Sequence, residues 1–129
     1  VALSYMTEIA HAAIDAGAAA VMGHGPHKPM AMEVYKGRPI YYSFSSFSFN
    51  IGHGGQKSGD WVGTMARVDF EDGKPVEAAF RWVRHTLDTN QTYFSTPDRE
   101  GKAMEKVAKL SEEYGTKYTN VGDEVRIAL

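Results

Sequence analysis

In the stretch Ala18-Ala19-Ala20-Val21-Met22-Gly23-His24-Gly25-Pro26-His27, a small apolar run leads directly into two histidines. A short, uniformly apolar run is typical of a strand that is buried on both faces of an α/β layer. Glycines on both sides of His24 permit a sharp turn after the strand, and Pro26 fixes φ just before His27. We therefore predict a buried strand over 18–22, with both imidazoles at its end and directed at one small volume.

Upstream of this strand, the pattern predicts a helix from Tyr5 to Ala16, ended by a cap at Gly17. His11 lies on this helix and is predicted to be a surface residue. The apolar stripe of the helix is expected to comprise Met6, Ile9, Ala10, Ala13 and Ile14. Helix, short loop, buried strand and site follow one another in the order that is typical of α/β folds.

Downstream of the histidines, the sequence predicts a first hairpin. Strands over 31–35 and 39–44 flank Lys36-Gly37-Arg38, and β-branched and aromatic residues favour strands on both sides, with Gly37 at positive φ. The segment 45–60 follows and is rich in Ser, Gly and Asn. A connection of this length is long enough to be functional.

A second hairpin is predicted from Trp61 to Leu87. Residues 61–70 alternate in character, and Glu71-Asp72-Gly73-Lys74 is a turn that reverses the chain into a strand over 75–87. This alternation is the clearest structural signal in the chain.

A C-terminal helix is predicted to follow, with Thr96 as its cap, Pro97 at its first position and Gly115 at its end. One face of this helix is expected to carry Met104, Val107, Ala108, Leu110 and Tyr114. The residues from Glu124 to Leu129 alternate like a final strand.

Composition limits the class of protein. The chain has 129 residues, of which 43% are hydrophobic and 23% charged, which fits one domain or part of a larger one. A net charge of -2, with cations scattered among acids, gives no basic surface for nucleic acid. There is no cysteine, and no apolar run approaches the roughly 20 residues that span a bilayer. Because Val1 begins neither an initiator pattern nor a signal peptide, we expect 1–129 to be a single partial domain that begins within a longer protein.

His24 and His27 are the candidate site residues. Two imidazoles in a turn rich in Gly and Pro are suited to bind a metal or an anion, and the alternative is an ordinary loop with partly exposed histidines. Most catalytic metal sites need three or more protein ligands, so two clustered histidines are an incomplete set.

Other polar residues have simpler interpretations. His53, in Gly52-His53-Gly54-Gly55, could close over the site, although an exposed loop residue is the simpler account, and this glycine loop lacks the Lys-Ser/Thr ending of a phosphate-binding P-loop. His85 is expected on a solvated sheet face. A nucleophilic serine would need a neighbouring base, and a strand end with aromatic residues in the core is the favoured account of Ser43, Ser45, Ser46 and Ser48.

Three ordered segments, 14–18, 21–27 and 33–43, resemble the CapA-type family of poly-γ-glutamate capsule synthesis proteins. In that family a Gly-His-x-Pro-His motif follows a buried strand and precedes a strand of the form Gly-Lys-Pro-Ile-x-Tyr-Ser. The residues 110–116 also look like the closing helix of the family. The resemblance covers most of residues 5–120 and is strongest over 12–49. Where the family usually has Gly-Asn, this chain has Ser45-Ser46.

The resemblance implies a fold similar to the calcineurin-like metallophosphoesterases. The chain would then be α/β, the C-terminal half of an α/β/β/α sandwich in which helix, strand and site are followed by antiparallel hairpins and a C-terminal helix. By that likeness His24 and His27 are metal ligands and catalytic residues, in a site for two divalent metal ions. The remaining ligands would come from the N-terminal half, which the chain does not contain.

Two functions follow from this resemblance. In the first, the protein is a component of bacterial poly-γ-glutamate or capsule biosynthesis or export; in the second, it is a metal-dependent phosphoesterase acting on a cell-envelope phosphate ester. Either protein would be extracytoplasmic or membrane-anchored at the cell surface. Its expected partners are the missing N-terminal half, a second copy or capsule-synthesis membrane components, without nucleic acid. Residues 1–129 alone are expected to be inactive.

Overall fold

The computed structural model describes residues 4–47 and 61–129. Its helices are α1 and α2, and α2 runs into a short 3₁₀ turn, Glu112–Tyr114. The elements are α1 Ser4–Asp15, β1 Val21–Met22, β2 Met32–Tyr35, β3 Arg38–Tyr41, β4 Trp61–Glu71, β5 Lys74–Thr86, β6 Gln91–Phe94, α2 Gly101–Ser111, β7 Tyr118–Val121 and β8 Glu124–Ile127. Neither helix of the described residues is long and apolar enough to cross a membrane.

The strands form two sheets. The first has the order β1-β3-β2, and the second has the order β4-β5-β8-β7, with β6 also paired to β5. β1 runs parallel to β3, whereas the other pairs are antiparallel. The α/β class is therefore confirmed, while the four layers of a metallophosphoesterase sandwich stay a prediction.

Two hydrophobic clusters hold these elements together. The larger cluster joins both sheets and α2 through Met32, Tyr41, Phe80, Trp82 and Val107, among others. The Tyr41 hydroxyl also donates a hydrogen bond of 3.0 Å to the Ala79 carbonyl, which links the sheets directly. The smaller cluster packs α1 on the first sheet through Ala10, Ile14, Met30, Ala31, Ile40 and Tyr42. The first sheet is thus covered by α1 on one side and shares the larger core on the other.

The predicted first helix is confirmed: it ends at Asp15 and is followed by a turn in which Gly17 has a φ of +109°. One member of its predicted stripe is wrong, because Ile9 is 65% exposed. Ala10 and Ile14 face the first sheet, and Ile9 lies about 100° around the helix from Ala10. The side of α1 that carries Ile9 has no covering element among the described residues.

The prediction of a strand over 18–22 buried on both faces is also wrong in its extent and its burial. β1 has two residues, and Met22 is 54% exposed. The reason is position, since β1 is the edge strand of its sheet in the described residues, with β3 as its neighbour. Parallel strands are usually covered on both faces, so this exposed edge is unusual for a parallel strand.

Both predicted hairpins are confirmed. Lys36 and Gly37 have φ values of 52° and 73°, and Asp72 and Gly73 have 49° and 75°. Two successive residues with positive φ are typical of the type I′ turn, whose twist matches that of paired strands. Between β4 and β5 the register shifts at Asp69/Phe70, and this bulge accompanies the exposure of Phe70 at the end of an alternating strand.

The C-terminal region differs from the prediction at the start of its helix. α2 begins at Gly101 rather than Pro97, and residues 97–100 form a turn in which the Glu100 amide donates to the Thr96 carbonyl at 3.2 Å. Thr96 therefore caps this turn, with the Arg99 amide 3.4 Å from its hydroxyl oxygen. The final strand is confirmed as β8, and β6 and β7 are additions that the sequence did not predict.

Candidate functional site

Gly23 places the histidine loop against the first sheet. Its amide donates a hydrogen bond of 2.7 Å to the Tyr41 carbonyl, which extends the contact between β1 and β3. A Cβ at this position would lie 2.6 Å from the Tyr42 carbonyl oxygen, closer than side chains ever approach backbone. Glycine is therefore required here by the close passage of two backbones, and the loop leaves the sheet at a fixed point.

The loop itself is held by hydrogen bonds to Pro26. The Ser43 hydroxyl and the Lys28 amide both donate to the Pro26 carbonyl, each at 2.7 Å. Ser43 is buried and belongs to the segment that follows β3. This segment thus fixes the backbone between the two histidines.

His24 and His27 are both exposed at the end of β1. The His24 ring packs edge-on against Phe44, with 5.2 Å between the ring centroids and 61° between the planes. The His27 Nδ1 lies 3.4 Å from the Ser46 hydroxyl oxygen. Both predicted site residues therefore contact one short segment, 44–46: His24 contacts Phe44, and His27 contacts Ser46.

The His24 side of the loop borders a cleft of about 420 Å³. Its walls come from α1, including Tyr5, Met6 and Ile9, and from Tyr42 and Pro26. These walls are mainly apolar, and His24 is the one imidazole among the described residues that line the cleft. Clefts that bind small molecules are commonly lined by apolar side chains with a few polar groups, and this cleft has that character.

An oxygen beside the His27 ring is the kind of neighbour that metal-binding histidines commonly have. Histidine ligands usually donate one ring N–H to an oxygen, which leaves the lone pair of the other nitrogen for the metal. The His27 Nδ1 lies 3.4 Å from the Ser46 hydroxyl, which can act as its donor or its acceptor. Among the described residues, however, no group of three His, Cys, Asp or Glu side chains could hold a metal ion. The described residues therefore supply two clustered imidazoles and no complete metal site.

Two other histidines differ from their predictions. His85, expected on a solvated face, is 3% exposed, because Trp61 stacks on its ring at 3.8 Å and Thr92 of β6 lies 3.0 Å from its Nδ1. His11, expected at the surface, is partly covered, with Nε2 2.7 Å from a Glu33 carboxylate oxygen. His53 lies outside the described residues.

A buried polar network under α1 was missed by the sequence analysis. Glu33 accepts a hydrogen bond of 2.6 Å from the Tyr42 hydroxyl as well as the contact from His11, whose ring stacks on Tyr35. Burial raises the pKa of Tyr42, and its hydrogen bond to Glu33 raises it further, so Tyr42 remains a proton donor. The one signal in the sequence was an acidic residue inside an otherwise apolar strand.

The serines of this region have structural roles in the described residues. Ser43 and Ser45 are buried, and Ser45 has a φ of +73° with a hydroxyl that has no hydrogen-bond partner. Ser46 lies beside His27, and Ser48 is outside the described residues. The alternation of serines with aromatic residues thus places Phe44 in the larger core, as the structural interpretation expected.

Comparison with known sequences adds a family likeness to this geometry. Residues 2–51 match the family described as "Bacterial capsule synthesis protein PGA_cap". The chain is 29% identical over 96 residues to the capsule biosynthesis protein CapA of Bacillus anthracis, a match that covers 66% of this chain and 22% of that protein. It is 44% identical over 45 residues to the PGA biosynthesis protein CapA of Bacillus subtilis, covering 35% of this chain and 12% of that protein.

A third relative, the uncharacterized protein y4sH of Sinorhizobium fredii, is 50% identical over 42 residues, covering 33% of this chain and 9% of the relative. The matched segments thus span 9% to 22% of the lengths of these relatives. His24, His27 and the contacting residues 44–46 all lie inside the segment that the family matches.

Proposed function

We propose, on the premise that this chain is similar to CapA-type capsule synthesis proteins, that the protein takes part in bacterial poly-γ-glutamate or capsule biosynthesis or export. The observation that carries the proposal is the family match over 2–51, which contains the whole His24 and His27 loop and its supports. The protein would act at the cell surface, extracytoplasmic or membrane-anchored.

Within that role, His24 and His27 would be ligands of a divalent metal site completed by other parts of the protein. What supports this assignment is that both imidazoles are exposed on one short loop and contact the same neighbouring segment, 44–46. Two metal ions bound there would stabilise negative charge on a phosphate oxygen and would lower the pKa of a bound water. The chain's own contribution is to fix two imidazoles on a loop whose backbone is held by Gly23 and Ser43.

The second candidate function is hydrolysis of a cell-envelope phosphate ester. What favours it is the exposure of both imidazoles, of which His24 lines a cleft, since a substrate could reach them from solvent. The role in assembly or export needs no such access. Residues 1–129 alone would not hydrolyse phosphate esters, because two histidines are an incomplete ligand set.

The partner of this chain would be the remainder of the same protein, packed on the face that α1 and β1 leave open. Tyr5, Ile9 and Met22 are all more than half exposed there, and β1 has a neighbour on one side in the described residues. An added strand at this edge and a covering element over α1 would bury both features. The relatives are several times longer than the matched segments, which leaves ample chain for such a unit.

The test is elemental analysis of the longest natural form of the protein, with the double variant His24→Ala/His27→Ala and the control His11→Gln. Near-stoichiometric divalent metal that disappears in the double variant and stays in the control would support the metal site. Release of phosphate from model phosphate esters, lost in the same variant, would favour the phosphoesterase. Metal-free wild-type protein would overturn both uses of the histidines and leave the assembly role.

A further inference from the structure

The segment that contacts both site histidines is itself held by hydrogen bonds from the second sheet. The Phe44 carbonyl accepts hydrogen bonds from the Thr64 amide at 2.9 Å and from the Thr64 hydroxyl at 3.3 Å. The Ser46 carbonyl accepts from Trp61 Nε1 at 3.0 Å, and the Phe47 carbonyl accepts from the Thr92 hydroxyl at 3.1 Å. We call Trp61, Thr64 and Thr92 the carbonyl clamp.

The carbonyl clamp lies very close to Ser46, the residue whose hydroxyl contacts His27. A Cβ at Gly63 would lie 2.7 Å from the Ser46 carbonyl oxygen, so β4 and the segment pass one another as closely as glycine allows. Trp61 is two residues away on the same strand and donates to that same carbonyl. The backbone of Ser46, whose hydroxyl contacts His27, is thereby fixed.

His85 holds two members of the clamp in place. Its ring stacks on Trp61 at 3.8 Å with 7° between the planes, and its Nδ1 lies 3.0 Å from the Thr92 hydroxyl oxygen. Because the single Thr92 proton is donated to Phe47, this oxygen can only accept from His85, so Nδ1 carries the proton. A buried imidazole with a defined tautomer thus orients the indole of Trp61 and the hydroxyl of Thr92.

We propose that Trp61 is a positioning residue for the histidine site, acting through the Ser46 carbonyl and held in place by His85. This inference rests on the proposed metal site, since it concerns how its imidazoles are oriented. The path is short: Trp61 to the Ser46 backbone, and the Ser46 hydroxyl to His27 Nδ1. The same segment supplies Phe44 to His24, so one clamp orients both rings.

The chain offers a matched control in its other tryptophan. Trp82 is fully buried in the larger core, and its Nε1 has no hydrogen-bond partner among the described residues. Trp61→Phe and Trp82→Phe make the same chemical change, and the first alone removes a donor from the segment that contacts the histidines. Phenylalanine also retains a ring that can stack on His85.

The experiment compares these two variants in the full-length protein with selectively labelled histidine. NMR of the metal-free protein follows the His24 and His27 ring signals, assigned with His24→Gln and His27→Gln. Calorimetric titration with Zn²⁺ then measures affinity. We expect Trp61→Phe to shift the His27 signals and weaken Zn²⁺ binding about tenfold, the lower end of the usual loss when an outer support of a ligand is removed. Trp82→Phe should lower thermal stability and leave both readouts unchanged.

Two results would overturn the inference: a folded Trp61→Phe protein with unchanged ring signals, or one with unchanged Zn²⁺ affinity. Thr92→Val serves as a second variant if Trp61→Phe fails to fold, because it removes the donor to Phe47 with almost no change in shape. Wild-type protein that binds no Zn²⁺ would overturn the proposed metal site alone. The ring signals would then decide the positioning role by themselves.

Discussion

Replacement of Ser45 by glycine is expected to stabilise the protein. Ser45 has a φ of +73°, in the left-handed region that disfavours side chains, and its buried hydroxyl has no partner in the described residues. Relief of the backbone strain contributes about 1 kcal/mol, and removal of the unpaired buried hydroxyl contributes about 1 kcal/mol more. The greater freedom of glycine in the unfolded chain opposes this by about 0.5–1 kcal/mol.

The net gain is therefore about 1 kcal/mol, equivalent to a rise of about 4 °C in Tm for a domain of this size. Calorimetry of wild type, Ser45→Gly and the control Ser46→Gly measures it. Ser46 is the next residue and does not have positive φ, so the same replacement there should destabilise the protein. A Tm for Ser45→Gly at or below the wild-type value would refute the reasoning.

Three further predictions concern other regions. Gly23→Ala should lower the free energy of unfolding by more than about 2 kcal/mol in chemical denaturation, since the added Cβ meets backbone at 2.6 Å. Burial alone raises the pKa of Glu100, but hydrogen bonds from Arg84 and Ser95 bring it below the usual glutamate value. Ionised Glu100 therefore contributes its full stabilisation above the usual glutamate pKa, and this contribution is lost as pH falls below it. Glu100→Gln should therefore reduce the fall at acid pH in a plot of the free energy of unfolding against pH. In chain 1–129, Ile9→Ala should change Tm by less than about 2 °C, whereas Ile14→Ala should destabilise by about 2–4 kcal/mol; equal effects would contradict the open face of α1.

The features that sequence predicts best are those decided by neighbours along the chain. Lys36-Gly37 and Asp72-Gly73 form turns because residues with positive φ are needed at that point, and each lies between strands that pair with one another. The turn at Gly17 that follows α1 has the same local origin. These features can be predicted without knowing which other parts of the chain pack against them.

His85 shows why the rest could not be predicted. Alternation along β5 gave its strand correctly, yet its burial depends on Trp61 and on β6, an unpredicted strand. The prediction for Met22 is wrong in the opposite direction. An apolar residue in a short run was expected to be buried, and Met22 lies exposed at a sheet edge instead. In the candidate site, the loop histidines were found by composition, whereas their contacts with Phe44 and Ser46 come from residues about 20 positions away.

Phe44 belongs at once to the larger core and to the surroundings of His24. Its ring lies 5.2 Å from that of Tyr41 on the inner side and 5.2 Å from His24 on the outer side, so a single aromatic residue separates the interior from the exposed imidazole. A substitution of Phe44 that changes the size of its ring will therefore change the wall against which His24 packs. Phe44 and the histidine loop are thus expected to change together as sequences diverge, even where stability is kept.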